Sequence, residues 1–337
     1  MSSSAPDVPT SFTRDQVAVL FAEPLLDLVF GAAAVHRQHH DPREIQCSSL
    51  LSVKTGACPE DCGYCPQSAH HAVKLEASRL MDVAEVLAAA EDAKGAGADR
   101  FCMGAAWREV RDNADFERVL AMVRGVKALG LETCVTLGML QDEQAVRLRE
   151  AGLDYYNHNL DTSRAYYDQV ITTRTYDARL ETLAAVRAAG LKVCVGGILG
   201  MGESEDDRID FLCELARLEP QPESVPINTL VAVAGTPLEG RPEVPWDELV
   251  RAVAVARILM PRSRVRLSAG RSALSHEAQA MCFLAGASSI FLGDRLLTTP
   301  NASLDADAVL LDKLGLRRAG GGATEHDQSR PSPVAAE

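Results

Sequence analysis

From about residue 47 onward, short β-branched or apolar runs alternate with longer Ala- and Leu-rich stretches of helical spacing, and this alternation limits the possible fold more than any other feature. Eight candidate strands are read at 49–53, 99–103, 131–137, 154–160, 192–199, 224–231, 264–269 and 288–293. Helical segments are expected at 83–95, 116–129, 142–151, 177–189, 205–218, 246–260 and 277–285, with Gly130, Gly152 and Gly190 placed as helix stops. Strands that alternate with helices of this length form a parallel sheet. Eight such units predict an α/β fold of the closed (β/α)8 TIM type rather than an open doubly wound sheet. An N-terminal helical extension precedes it: a helix over 13–22 capped by Thr13, and a second over 25–35 running into the polar stretch 36–42. Such a pair is expected to plug or cover one end of the main fold. No repeat or linker divides the chain, so residues 12–316 read as one barrel domain. Residues 1–11 and 317–337 read as a disordered N-terminus and tail.

The 337 residues carry a formal net charge of −13, which argues against nucleic acid or an anionic membrane as the main partner. The first ten residues have neither a basic start nor an apolar run, and no stretch reaches the roughly 20 apolar residues of a membrane span. The expected compartment is the reducing cytoplasm. There the nine cysteines read as ligands, reactive thiols or core residues rather than disulfides.

Three of those cysteines stand within eight residues. Cys58, Cys62 and Cys65, in KTGACPEDCGYCPQ at 54–67, have the pattern C-x3-C-x2-C. Pro and Gly around them predict a tight irregular loop, which can turn three thiolates toward one centre. A cubane iron–sulfur cluster takes one thiolate on each iron, so three cysteines leave one iron for another ligand. Structural zinc is the alternative. It usually needs a fourth Cys or His, for which His70 and His71 are close in sequence.

Polar residues inside barrel strands are costly unless satisfied, and this chain has many. Arg100 and Cys102 share a face of the second strand, and Cys134 lies on the third. Asn157, Asn159 and Asp161 form a one-faced stripe on the fourth, with His158 pointing away. Cys194 lies on the fifth strand, Asn228 on the sixth, and Arg266 and Ser268 on the seventh. A lone strand cysteine is usually core, and Cys47, Cys213 and Cys282 keep that reading. Cys102, Cys134 and Cys194, on different strands at matching positions, instead point to a second soft-ligand site, with Arg266 read as its counter-ion. The glycine-rich run 196–202 is expected to allow close backbone approach to a ligand.

The cysteine loop, with Tyr64 before its third cysteine, resembles the radical S-adenosylmethionine superfamily. RFCMGAAW at 100–107, YYNHNLDTS at 155–163, SVPIN at 224–228 and VRLSAGR at 265–271 narrow the resemblance to the biotin synthase family, across roughly residues 12–316. It implies a [4Fe-4S] cluster on Cys58, Cys62 and Cys65. The open iron binds S-adenosylmethionine, which is cleaved to methionine and a 5′-deoxyadenosyl radical. It also implies a [2Fe-2S] cluster on Cys102, Cys134, Cys194 and Arg266 as the sulfur donor to dethiobiotin. Tyr64, Arg100, Asn157, Asn159, Asp161 and Asn228 are the implied cofactor and substrate contacts, with the amides on the ureido ring. Partners implied are dethiobiotin, an electron donor such as flavodoxin or ferredoxin, and a second copy in a homodimer. Val195 departs from the small polar residue common in relatives, and the tail is extended. Rival readings are a radical S-adenosylmethionine barrel with another substrate and a non-catalytic metal-binding protein.

Overall fold

A computed structural model describes residues 12–73 and 75–319, so most of both expected terminal tails lies outside the described residues. The strands are β1 (Glu44–Lys54), β2 (Arg100–Ala105), β3 (Glu132–Thr136), β4 (Tyr155–Asn157), β5 (Lys192–Cys194), β6 (Gly197–Leu199), β7 (Ser224–Thr229), β8 (Arg264–Leu267) and β9 (Ala287–Leu292). They pair in parallel in chain order, and β9 pairs back onto β1, closing the barrel. The fifth expected strand is divided: β5 and β6 share one staff position and both pair with β7. The expected helices are α3 (Val83–Gly95), α4 (Ala114–Ala128), α5 (Asp142–Glu150), α6 (Tyr176–Ala188), α7 (Glu205–Arg217), α8 (Trp246–Leu259) and α9 (His276–Leu284). The sequence reading did not anticipate α10 (Leu304–Leu314). Nor did it anticipate β10 (Arg317–Arg318), which pairs with Glu44 and Ile45 just past the expected domain limit.

Local chemistry explains the element ends. Thr13 and Gln16 form a reciprocal capping box at the start of α1 (Arg14–Ala22). The Asn113 side chain accepts from Phe116 N and starts α4 two residues before the expected position. The helix α2 (Leu25–His39) runs through part of the stretch read as polar loop, because His36 is buried on its inner face.

The N-terminal pair neither plugs nor covers an end of the barrel. α1 lies against α7 and α8, and α2 against α8 and α9, on the outer helical layer. Arg251 anchors the junction by donating to the Phe21 and Glu23 carbonyls. His36 and His40 stack 5.1 Å apart beside Arg257. Burial, with Arg257 next in effect, pulls His36 down to about 3 and His40 down to about 4. Unfolded histidine titrates near 6.5, so the unfolded chain takes up more protons below that pH. Stability is therefore expected to fall as pH drops from about 6.5 toward 4. Urea midpoints at pH 7 and pH 5 test this, and His36→Leu should reduce the difference.

The glycine pair between β5 and β6 permits close backbone packing, and neither glycine lines the cavity described below. A Cβ on Gly196 would stand 1.9 Å from the Pro226 carbonyl oxygen, and one on Gly197 would stand 2.5 Å from that of Asp161. The division of the fifth strand and its close approach to β7 depend on this missing bulk. Gly196→Ala is expected to cost about 3 kcal/mol, near the upper end of overpacking penalties, measured as a lowered urea midpoint.

Candidate active site

A cavity of about 320 Å³ opens at the C-terminal ends of the strands, where barrel loops converge. Both cysteine sets face it. Cys58, Cys62 and Cys65 come from the loop after β1, and Cys102, Cys134 and Cys194 from inward positions of β2, β3 and β5.

The first loop is held by its own backbone and by a neighbouring turn. Cys58 N donates to Gln67 O, Ala69 N to Cys58 O, and Cys65 N to Cys62 O. Asp61 accepts from the amides of Thr172 and Thr173 and from the Thr172 hydroxyl. These bonds hold its carboxylate down to about 2 despite partial burial. Burial pushes the Cys62 thiol up to about 11 and the Cys65 thiol up to about 12. Metal ligation needs thiolates, so cluster assembly must release protons. Iron incorporation by the apoprotein is therefore expected to be more complete at pH 8.5 than at pH 6.5, read as bound iron per chain. Among the described residues, no three His, Cys, Asp or Glu side chains gather tightly enough for one metal ion.

The second set is brought together by sheet register. Cys102 pairs with Cys134, and Asn157 with Cys194. Its interaction with Cys134 is the chief reason that Cys102 is pulled down to about 7, while the Cys134 thiol is pushed up. Tyr155, Phe291 and Leu296 pack around these sulfurs. Arg266 is clamped from behind: Nε donates to Ser289 at 2.9 Å, and Nη2 to Ser48 at 2.9 Å and Gln46 at 3.2 Å. Its guanidinium lies 4.5 Å from the Phe291 ring centre. No hydrogen bond from Nη1 is found among the described residues, and Arg266 lines the cavity beside the three thiols. Soft sulfurs in an apolar pocket with one cation turned toward them fit an anionic iron–sulfur cluster.

The amide stripe differs from expectation in its backbone. The strand ends at Asn157, so Asn159 and Asp161 lie on the loop beyond it, and Asp161 has φ 68°. They remain inward because Leu160 N and Asp161 N donate to Gly196 O and Ile198 N donates to Asp161 O, which carries the chain along β5 and β6. Asp161 accepts from the Tyr64 hydroxyl at 2.8 Å and from Arg179 at 2.5 Å. Asn157 donates to Asn159 Oδ1 and Cys194 O and accepts from Thr136. Asn159 also accepts from Gly196 N, and no hydrogen bond from its Nδ2 is found among the described residues. Asn228 spends both ends of its amide on backbone, donating to Gly197 O and accepting from Ala269 N. His158 is buried as packing against Tyr156, although it also touches the cavity wall.

Arg100, expected among the cofactor and substrate contacts, does not line the cavity. Two residues before Cys102 on β2, it lies one layer lower toward the N-terminal end. It donates to Glu132 at 2.9 and 3.1 Å and lies 3.5 Å from the Tyr155 ring centre. The sequence reading did not anticipate Glu60, Arg174 and Arg179, all of which face the cavity. A charged residue inside the C-x3-C-x2-C loop was the available signal for Glu60. The two arginines lie on a turn and a helix whose approach to that loop is tertiary.

A family model described as the Radical SAM superfamily matches residues 52–215, and one described as the Biotin and Thiamin Synthesis associated domain matches residues 226–317. A biotin synthase from Acidiphilium cryptum is 64% identical over 304 residues, covering 90% of this chain and 93% of its own. One from Thioalkalivibrio sulfidiphilus is 60% identical over 318 residues, covering 94% and 93%. Among solved structures, methylornithine synthase superposes with a TM-score of 0.77 at 19% identity, covering 92% of this chain and 94% of its own. The hydrogenase maturase HydG from Carboxydothermus hydrogenoformans superposes with a TM-score of 0.78 at 16% identity, covering 91% and 76%. The two structural likenesses concern the fold.

Proposed function

The chain belongs to the biotin synthase family, and on that premise we propose that its barrel cavity carries out sulfur insertion into dethiobiotin to give biotin. The observation that carries this reading is the placement of two separate cysteine sets on one cavity, with an amide and carboxylate stripe reaching it as well. A single-cluster barrel has no need of Cys102, Cys134, Cys194 and Arg266 together.

Cys58, Cys62 and Cys65 would hold a [4Fe-4S] cluster, and Cys102, Cys134, Cys194 and Arg266 a [2Fe-2S] cluster. When bound, the first supplies the electron that cleaves S-adenosylmethionine to a hydrogen-abstracting radical, and the second supplies the sulfur. The protein's own part is placement and exclusion of water. Asn159 Nδ2 would donate to the ureido carbonyl, with the Asn157 hydrogen bond to Asn159 Oδ1 fixing its orientation. Asp161, held by Tyr64 and Arg179, keeps a carboxylate available to hydroxyl groups of the cofactor ribose. Asn228 supports the β6 and β8 backbone around that space. Leu230, Val231, Leu296 and Leu297 give the cavity an apolar wall beside the hydroxyls of Thr298 and Thr299, which suits an aliphatic chain ending in a carboxylate.

The proposal extends to residues 12–316 acting as one barrel domain, to a flavodoxin- or ferredoxin-type donor, to a homodimer and to a cytoplasmic setting. In support of the last, no helix among the described residues is long and apolar enough to cross a membrane. The direct test is an anaerobic assay with dethiobiotin, S-adenosylmethionine and a reductant, scored as biotin formed. Reconstituted protein should carry about six irons per chain, the sum of the two clusters. Four or fewer, with no biotin, would overturn the two-cluster reading.

A further inference from the structure

The middle one of the three residues between the first two cysteines of the loop is a buried carboxylate. Glu60 is 2% exposed and lines the cavity. A guanidinium stands on each side of it. Arg108 Nη1 lies 3.5 Å from Glu60 Oε1, and Arg174 Nε lies 3.8 Å from Oε2. Thr173 donates its hydroxyl to Oε2. Neither ion pair closes to hydrogen-bond geometry: Glu60 Oε1 and Arg174 Nε are both buried, and neither has a hydrogen-bond partner among the described residues. Arg108 is partly exposed, whereas the Arg174 side chain is only 9% exposed and lines the cavity with the thiols. Charges buried in this way are weakly screened, and their fields reach neighbouring groups.

We infer that Glu60 and Arg174 are positioning residues of opposite sign that set the reduction potential at the three-cysteine loop. The inference rests on that loop holding a [4Fe-4S] cluster. Adding one electron makes the cluster and its thiolates one unit more negative. A nearby cation stabilises the reduced form and raises the potential, and a nearby anion lowers it. Arg174 is held beside the loop because the Thr172–Thr173 turn that precedes it is tied to Asp61. The pair thus places a cation at the inner side of the cluster loop and tempers it with an anion from the loop itself.

The test is a redox titration of anaerobically reconstituted full-length protein with dithionite and mediators, following the paramagnetic signal of the reduced [4Fe-4S] cluster. Arg174→Gln is expected to lower the ratio of reduced to oxidised cluster about tenfold at a fixed potential, a fall of about 59 mV in midpoint for a one-electron couple. Glu60→Gln is expected to raise the midpoint by a similar amount. Arg174→Lys, which keeps the charge, should stay near wild type. Wild-type midpoints in both glutamine variants, or shifts in the same direction, would overturn the inference, as would a fall in Arg174→Lys equal to that in Arg174→Gln. If Arg174→Gln does not assemble a cluster, Glu60→Gln decides by itself: a raised midpoint supports the inference and an unchanged one sinks it. Iron and sulfide content keeps the premise separate. Wild-type protein without a cubane signal would refute the reading of the loop, whereas a normal cluster with invariant midpoints refutes only the charge pair.

Discussion

Replacing any one of Cys58, Cys62 or Cys65 by alanine is expected to abolish 5′-deoxyadenosine formation from S-adenosylmethionine, and biotin formation with it. The expected loss exceeds the roughly 10- to 100-fold that removal of an outer-shell partner costs at a metal site, because a direct ligand is lost. The loop offers no substitute. Among the described residues the nearby imidazoles are committed to backbone, His70 to Pro59 O at 3.0 Å and His71 to Cys62 O at 2.9 Å. The fold itself should survive, since the loop is anchored through Asp61 to Thr172 and Thr173 and through Gly63 N to Val170 O. The diagnostic result is a folded protein with an unchanged urea midpoint, about four fewer irons per chain and no 5′-deoxyadenosine. Near-normal 5′-deoxyadenosine from any of the three variants would remove the loop from the chemistry.

Cys102→Ala is expected to separate the two halves of the reaction. Biotin formation should fall below detection while 5′-deoxyadenosine is still produced, and reconstituted protein should retain about four of its six irons. Cys102 is the thiol for which the surroundings most favour the ionised form. Its interaction with Cys134 favours the thiolate, and Arg266 and Arg100 add positive charge. Its loss leaves Cys134 and Cys194 with Arg266, too few soft ligands for two irons. Alanine at this inward position removes only a sulfur from an apolar surround of Tyr155, Phe291 and Leu296, so the barrel should tolerate it. Normal biotin yield would sink the sulfur-donor assignment. Loss of 5′-deoxyadenosine as well would show that the two cysteine sets are not independent.

Arg266 marks where residue chemistry and family resemblance part. A guanidinium is protonated at ordinary pH and has no acceptor lone pair, so its chemistry suggests a counter-ion. Its setting suits that role: Gln46, Ser48 and Ser289 occupy two of its three nitrogens and turn it toward the thiols. The ligand role comes from the motif alone. Gln46 and Ser48 are ordinary polar residues in the sequence, and no local pattern ties them to a residue on β8. Glu60 was hidden for a related reason, since its partners Arg108 and Arg174 come from other loops.

The identity and order of the elements were legible because they depend on local chemistry: hydrophobic period, caps and glycine stops. The three-cysteine loop was legible for the same reason, since ligands seven residues apart or fewer are brought together by a tight turn alone. The amide stripe was only half legible. Its inward direction followed from alternation, but its path beyond Asn157 is set by the bonds of Leu160 N and Asp161 N to Gly196 O. By itself the sequence determined a parallel eight-fold barrel, a loop with three convergent thiolates and a set of inward polar residues. Only the tertiary structure decided that Cys102 stands beside Cys134, that Arg100 lies on the floor below them, and that Glu60 lies between two guanidiniums. The physical reason is that strand register, layer height and loop approach are set by packing between distant segments, and no short stretch of chain contains that information.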